Sequence, residues 1–351
     1  MKTRIATLSV VLLVLVLFAL SSNASWAADA GFEDQGASMQ MMERVEVIIY
    51  GEPRRGGLAE RLNSIERELF GRELPGSISE RHAAILNFLE VGTPDQPSMI
   101  FKIGIAEWLV GDISQVRRGV AARVERLETG LDGTMQYGRP LAMRVERLLA
   151  SLLADPVTFQ DVTLPTATVL QAQFLDELGP ATTSRGDIVN LALTNDLMVD
   201  NVLVAPRGSL IDAVVSRVRQ PRMFGVPSEI RFDFRSLIPL GPQRPSVVQG
   251  EASRIATDRG EGAMAGAGAA SLGGAIILGP VGLIGGALVR GNAIRIPQGS
   301  TIFLETYGDT RVSGFPIPAS LRVTQDATGV QPPRQPGERE IIELPAEHII
   351  N

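Results

Sequence analysis

Two patterns of hydrophobic and polar positions divide the chain. From Glu43 to about Pro156, apolar residues recur at helical spacing among many charged residues. After Pro156, apolar and polar residues alternate in short runs that Pro, Gly, Asn and Asp separate. A 3.6-residue period indicates amphipathic helices, and a two-residue period indicates half-buried strands. The pattern predicts an α+β chain of several domains, with α-helical hairpin repeats at 43–155 and an antiparallel β-barrel or sandwich at 156–325.

One helical spacing occurs four times: an apolar residue, then Arg three positions later, Ile or Leu after seven and Leu after eleven. Its apolar members share one helix face. Gly71 and Gly133 are typical helix ends, and Ser77 with Glu80 forms a capping box. We therefore expect a duplicated helical hairpin. The four copies are Leu58-Arg61-Ile65-Leu69, Ile78-Arg81-Ile85-Leu89, Val120-Arg123-Leu127-Leu131 and Leu141-Arg144-Leu148-Leu152.

The repeated Arg has two interpretations. Four arginines in a row could bind a ligand. An Arg at the edge of a buried stripe more often packs its stem and pairs its head with a nearby carboxylate, such as Glu66 or Glu128. We expect the second, structural role.

The residue types restrict the chemistry. The chain has no cysteine, which excludes disulfides and thiolate zinc sites, and only two histidines, His82 and His348. The other copies place Leu62, Val124 and Val145 where His82 stands, so we expect His82 at a partly buried packing position. We predict no catalytic, cofactor-binding or metal-binding residue and no cofactor, and hence no enzyme.

The charge balance and the first residues bear on location. Lys and Arg total 33 against 39 Asp and Glu, a net charge of −6, which argues against a nucleic-acid partner. Lys2 and Arg4 precede an apolar run and small residues, a pattern that predicts a signal peptide at 1–27. An uncleaved membrane anchor is the alternative, although the run is short for a span. Export would place the protein in the periplasm or the cell envelope, including the outer membrane.

Two further segments have little periodicity. Residues 28–42 are polar and contain several Met, so we predict a linker there. Residues 326–351 are rich in Pro and carry charges of both signs, which predicts a disordered or docking tail.

A glycine-rich insertion at 262–291 interrupts the β pattern. No charged residue occurs from Ala263 to Val289, and small residues recur at every fourth position. In a helix this spacing makes a smooth ridge that another helix can approach closely. Pro280 divides the segment, which predicts a helical hairpin of two short arms, 263–278 and 281–290. The predicted membrane or oligomer contacts are Gly262, Gly266, Ala270, Gly274, Gly282 and Gly286.

Three interpretations of the insertion stay open. Each arm is shorter than the roughly 20 residues that cross a bilayer. The hairpin could enter a membrane or line an oligomer, it could be a flexible loop over the barrel, or it could be an ordinary buried hairpin. Gly costs about 1 kcal/mol relative to Ala in an exposed helix, so this many glycines favour close packing.

The β part repeats a local element in which Pro and Gly make a turn between two strands. The copies are Pro206-Arg207-Gly208-Ser209, Pro297-Gln298-Gly299-Ser300 and the looser Pro165-Thr166-Ala167-Thr168. The expected strands are 157–163, 168–174, 188–194, 198–204, 210–218, 229–238, 245–251, 293–297, 300–306 and one near Val312.

The order of these turns and strands over about 162–312 resembles the C-terminal β-barrel domain of the envelope-spanning core protein of type IV secretion and conjugation systems. That family has a Pro-x-Gly-Thr turn before a strand and another after a Val/Leu-rich strand; 202–209 looks like the second. The first turn here has Ala167 in place of Gly, and a helical repeat domain precedes the barrel. The resemblance implies a similar fold and, because the family's barrel carries a helical insertion that contacts the outer membrane, membrane contact by the insertion.

The sequence thus predicts a non-enzymatic, exported scaffold or assembly protein of the cell envelope, a possible component of an envelope-spanning complex. Its expected partners are envelope proteins or a second copy, with membrane contact and no nucleic acid. One alternative is a secreted binding module whose helical repeats hold a protein. The other is a cell-wall hydrolase that uses two carboxylates.

Overall fold

In a computed structural model, the described residues are 36–111, 117–220, 228–257, 288–290 and 293–321. The predicted signal peptide, the start of the predicted linker and most of the glycine-rich insertion lie outside them, as does the tail at 326–351. The chain divides into two compact units, Met1–Pro316 and Ile317–Asn351. The helices and strands described below all belong to the first unit.

The N-terminal part is helical, and two very short strands, β1 and β2, separate its halves. A π-helical turn, Asn87–Val91, continues the third helix. The elements are α1 at 36–50, α2 (Leu58–Phe70), α3 (Ile78–Leu86), β1 (Gly92–Thr93), β2 (Gln96–Pro97), α4 (Met99–Val110), α5 (Val120–Asp132) and α6 (Leu141–Leu152).

The duplicated helices are present as the spacing predicts. Copies one to four correspond to α2, α3, α5 and α6. Gly71 and Gly133 end α2 and α5 with φ of 74° and 71°, values that favour glycine. Ser77 and Glu80 form both hydrogen bonds of the capping box at the start of α3. Most apolar positions of the copies are buried, but Ile78 at the start of α3 and Leu131 in the last turn of α5 are 36% and 39% exposed.

The prediction of a linker as far as residue 42 was wrong for residues 36–42, which are helical. Val45 and Ile49 are fully buried on α1. The stripe that they form begins at Ser38, which is 8% exposed, and it has Met41 where the copies have Arg. α1 therefore has the same spacing, but Ser38 and Met41 replace the apolar residue and the Arg of the other copies. The sequence pattern did not identify it for that reason.

Helix α4 packs between the helical part and the β part. It is buried on nearly every side, including the charged side chains of Lys102 and Glu107. Trp108 packs edge-on against Phe315 with ring centroids 6.3 Å apart. A Cβ added at Gly104 would lie 2.6 Å from a methyl carbon of Leu240, so glycine permits this close approach.

The described residues of the first unit after α6 form antiparallel β structure with a short helix, α7, at 251–257. The strands are β3 (Gln160–Leu164), β4 (Val169–Phe174), β5 (Ile188–Leu193), β6 (Leu197–Val199), β7 (Val202–Ala205), β8 (Leu210–Arg219), β9 (Glu229–Leu237), β10 (Val247–Val248), β11 (Leu288–Arg290), β12 (Ala293–Arg295), β13 (Thr301–Thr306) and β14 (Thr310–Pro316).

Six strands form a sheet in the order β10-β13-β4-β5-β8-β9. A bridge between Ser236 and Ser246 brings the two edges together, so the sheet nearly closes into a barrel around an apolar core. A second sheet has the order β3-β14-β7-β6, and β11 pairs with β12. The predicted fold class is confirmed: N-terminal helices precede an antiparallel barrel.

Two predicted strands differ from the structure. The run at 198–204 is divided into β6 and β7, because Asp200 and Asn201 turn the chain with φ of 50° and 63°. The run at 245–251 contains only the two residues of β10, and α7 begins at its end.

The repeated turns have the expected geometry. Gly208 and Gly299 have φ of 86° and 84°, and the residue after each donates its amide to the carbonyl of Pro206 or Pro297. Ala167 occupies the same position in the third turn with φ of 58°, a conformation that costs a residue with a Cβ about 1 kcal/mol.

Candidate functional site

The six predicted contact residues, Gly262, Gly266, Ala270, Gly274, Gly282 and Gly286, lie outside the described residues. The structure instead describes where the insertion joins the barrel. α7 leads into it, and its last described residues form β11, which pairs with β12. These two attachments constitute the candidate site. The predicted second helical arm, 281–290, was wrong for residues 288–290, which are a strand.

The first attachment is a buried carboxylate beneath the start of α7. Glu305 of β13 is 9% exposed and accepts a hydrogen bond of 2.6 Å from the backbone amide of Ser253. The Ser253 hydroxyl in turn accepts from the amide of Gly250 at 3.0 Å. A carboxylate at a helix start also compensates the positive end of the helix dipole. A Cβ at Gly250 would lie 1.8 Å from Oε1 of Glu305, so this arrangement requires glycine.

The second attachment is an ion pair and a β-bridge after β12. Arg295 donates to both carboxylate oxygens of Glu177, at 2.8 and 2.7 Å. Its hydrogen bond and charge lower the pKa of Glu177, so the pair is ionised at neutral pH. Leu178 and Ile296 exchange two backbone hydrogen bonds of 2.9 Å. The chain that returns from the insertion is therefore fixed to the β4-β5 connection.

The two attachments lie near opposite ends of β13. Glu305 lies near the C-terminal end of β13, whereas Ile296 precedes its N-terminal end by one turn. Each polar side chain at the attachments has an intramolecular partner in the described structure. The arrangement is suited to holding the chain at two fixed points, one before and one after the insertion.

The repeated arginines form interhelical ion pairs. Each donates two hydrogen bonds to a Glu on the preceding helix, 15 or 16 residues earlier in the chain. The glutamates are at most 4% exposed. The predicted structural role is thus confirmed, although the guanidinium groups are largely buried where we expected them at the surface. The pairs are Arg61-Glu46, Arg81-Glu66, Arg123-Glu107 and Arg144-Glu128.

Three of these glutamates also hold the connection between their two helices. Glu46, Glu66 and Glu128 each accept a backbone amide eight residues further on, at 2.8 to 3.0 Å. Burial alone would raise the pKa of Glu46 and Glu128. Hydrogen bonds from the paired Arg and the backbone amide outweigh it, so both pKa values lie below their usual range. Sequence reasoning missed this role; the signal was a Glu 15 or 16 residues before each repeated Arg.

His82 is a packing residue, as its position in the repeat predicted. It is fully buried, and Nε2 lies 3.3 Å from the sulfur of Met42 on α1. Burial, followed by the charge of Arg81, lowers its pKa, so the ring is neutral at neutral pH. His348 lies outside the described residues.

Two grooves on the described part of the chain contain a carboxylate. One, of about 100 Å³, runs between α4 and the β7-β8 turn, and its carboxylate is Glu107, which Arg123 holds. The other, of about 170 Å³, contains Asp196, which accepts from the Trp108 indole at 2.9 Å and the Arg207 amide at 2.7 Å. Each of these two grooves has one carboxylate, and it is hydrogen-bonded within the protein.

In the described part of the chain, no helix has both the length and the apolar character needed to cross a membrane. Within the same residues, no group of three or more His, Asp or Glu side chains is arranged to hold a metal ion.

The comparisons with known proteins are few. No family model matches the chain, and no curated protein matches its sequence. Among solved structures it is similar to ComB10 of the Com type IV secretion system of Helicobacter pylori. That likeness covers 44% of this chain and 92% of that chain, at 13% identity and a TM-score of 0.24.

Proposed function

We propose that the protein is a non-enzymatic, exported scaffold of the cell envelope, which uses the insertion at 262–291 for membrane contact or self-association. One observation carries this proposal. A segment without charge from Ala263 to Val289 is anchored at both ends to one barrel, through Glu305 on one side and Arg295 on the other.

The composition of the insertion supports packing against another surface. Small residues at every fourth position allow two helices, or a helix and a partner, to approach closely. An isolated helix with this many glycines would be unstable in water, because each costs about 1 kcal/mol relative to Ala. Close contact with lipid, with a second copy or with another envelope protein would offset that cost.

The frame around the insertion supports a structural role. The attachments determine where the insertion leaves the barrel and where it returns. Buried ion pairs hold neighbouring helices of the N-terminal part together. The charged N-terminal pattern before an apolar run supports export. The resemblance of the turns at 165–168 and 202–209 to the type IV secretion barrel supports a place in an envelope-spanning assembly, where the partners would be envelope proteins or a second copy.

The test is flotation with phosphatidylcholine vesicles. The mature protein is compared with a variant in which residues 262–287 are replaced by a short Gly-Ser linker, so that α7 and β11 are kept. Only the intact protein is expected to float. If both proteins float alike, or if neither floats, the insertion is not the membrane element.

Two controls make the result interpretable. Circular dichroism and thermal unfolding should show that the linker variant keeps its helices and barrel. Sedimentation of both proteins without vesicles measures self-association separately. If the variant keeps both the mass and the flotation of the intact protein, the proposed function is wrong. If in addition neither protein floats, a soluble periplasmic binding protein becomes the better account.

A further inference from the structure

Three arginines surround one glutamate at the end of the β8-β9 hairpin. Arg217 and Arg219 lie on β8, and Arg231 and Glu229 lie on β9. Arg217 is directly opposite Arg231 in the strand register, and Arg219 is opposite Glu229. These four residues are called the arginine cluster below.

The cluster carries an excess of positive charge. Glu229 is 6% exposed and is hydrogen-bonded by Arg231, with Arg219 at 3.3 Å. The hydrogen bond from Arg231, with the charges of Arg219 and Arg217, lowers the pKa of Glu229, so its carboxylate is ionised at neutral pH. Three positive charges against one negative charge leave two in excess, on a chain whose net charge is −6.

Folding alone gives no reason for this arrangement. Like charges directly opposite each other destabilise an antiparallel strand pair, and Arg217 and Arg231 are such a pair. The buried Nε of Arg219 has no hydrogen-bond partner within the described residues. Arg217 is exposed, and half of the Arg231 side chain is accessible. A bound anion at this position would relieve the repulsion between the two guanidinium groups.

The cluster lies at the same end of the barrel as the second attachment. Gln220, which follows β8, donates its side-chain amide to the carbonyl of Pro180 in the β4-β5 connection. The same connection holds the returning chain through Leu178 and Ile296. Ile188, which follows this connection at the start of β5, is 74% exposed. Ile188 is opposite Val214 of β8, three residues before Arg217. Excess arginine together with an exposed aliphatic side chain on a neighbouring strand is typical of a surface that contacts lipid headgroups.

We propose that the arginine cluster binds the phosphate groups of anionic lipids where the barrel meets a membrane. Guanidinium groups bind phosphate oxygens through two parallel hydrogen bonds, and the exposed Arg217 and Arg231 stand side by side to do so. This inference rests on the proposed function in the form in which the insertion contacts a membrane, because the returning chain of the insertion is held at this end of the barrel. It adds a dependence on lipid charge, which the uncharged stretch from Ala263 to Val289 cannot supply.

The test uses the full mature protein and vesicles of phosphatidylcholine with or without phosphatidylglycerol. The anionic lipid should increase binding of the parent protein, and added salt should reduce that increase. Arg217→Gln should weaken binding to the anionic vesicles about fivefold, as expected for one surface arginine. Arg217→Lys should largely retain it. Arg217 is chosen because its substitution leaves the ion pairs of Glu229 with Arg219 and Arg231 in place. The hairpin should therefore stay folded.

The matched control is Arg139→Gln, which removes one exposed charge from the α5-α6 connection. The proposal is overturned if phosphatidylglycerol does not increase binding, or if Arg217→Gln and Arg139→Gln weaken it equally. Loss of capture of an acidic envelope protein by Arg217→Gln, with vesicle binding unchanged, would likewise overturn it in favour of a protein partner.

The two proposals can fail separately. The linker variant on neutral vesicles tests the insertion, whereas the increase caused by phosphatidylglycerol tests the cluster. An increase that persists in the linker variant would support the cluster even if the insertion made no contact with lipid.

Discussion

Glu66 on α2 and Arg81 on α3 form a two-point ion pair inside the helical part, with Oε1 2.7 Å from Nε and Oε2 bonded to Nη2. Glu128 and Arg144 make the same pair between α5 and α6. Each glutamate also accepts an amide from the connection between its two helices. One carboxylate thus determines the spacing of two helices and the path of the chain that joins them.

Loss of the arginine should therefore be costly. Arg81→Ala should lower the free energy of unfolding by about 3–5 kcal/mol, because it leaves the fully buried carboxylate of Glu66 without its charged partner. The exposed pair Arg67-Glu73 is the control, and Arg67→Ala should cost about 0–1 kcal/mol. Urea denaturation measures both. The double variant Glu66→Leu/Arg81→Leu should recover part of the loss, and equal effects of the two single variants would contradict this account.

The buried pairs also predict a pH dependence. The pKa values of Glu46 and Glu128 lie below the ordinary value of 4.5, so the folded protein holds these groups ionised more strongly than the unfolded chain. Their contribution is present above about pH 4.5 and is lost as the pH falls through the folded pKa. Glu128→Gln should lower stability at pH 7 and flatten its decline in acid. Denaturation midpoints measured across this range provide the check; an unchanged acid slope would rule the contribution out.

The three repeated turns predict opposite effects of exchanging Gly and Ala. Ala167 has a positive φ, so Ala167→Gly should stabilise the protein by about 0.5–1 kcal/mol. Gly299 has a positive φ and open space around its Cα, so Gly299→Ala should cost a similar amount through the backbone alone. Thermal unfolding should show shifts of opposite sign. Shifts of the same sign would mean that the turn conformation does not determine the effect.

The first attachment of the insertion depends on Gly250. Gly250→Ala places a Cβ on the carboxylate of Glu305, and we expect it to cost about 1–3 kcal/mol and to loosen α7. Gly130→Ala is the matched control, because Gly130 lies in α5 with open space beside it, and the same change should be neutral or stabilising there. Hydrogen exchange at residues 251–257 should increase in the first variant. Unchanged exchange would show that the carboxylate does not hold α7.

The sequence predicted the elements that a regular spacing marks. α2, α3, α5 and α6 have one apolar stripe each, and the barrel strands alternate. The pattern did not identify α1, because its apolar stripe begins at the polar residue Ser38. It did not identify α4 either, because that helix is apolar on nearly every side and so has no amphipathic period. Periodicity reports which face is buried, and a helix buried all round gives no such signal.

The contacts between distant residues could not be read in the same way. A helical pattern placed the repeated Arg at the edge of a stripe, but the partner of a charged group depends on which helix packs beside it. The bridge between Ser236 and Ser246 and the contact of Glu305 with Ser253 join residues from separate elements. Glu305 looks like an ordinary polar position of an alternating strand, and only the fold places it beneath α7.

The measurement that tests the central claim most directly is flotation of two triple-leucine variants of the insertion. Gly266→Leu/Ala270→Leu/Gly274→Leu changes the predicted ridge, whereas Gly268→Leu/Ser271→Leu/Ala275→Leu changes the opposite face of the same predicted helix. Both variants add three leucines, so general hydrophobicity rises in each, but only the first prevents close approach along the ridge. The account predicts that the ridge variant floats less than the parent and the other variant floats at least as well. Equal flotation of the two variants would contradict it.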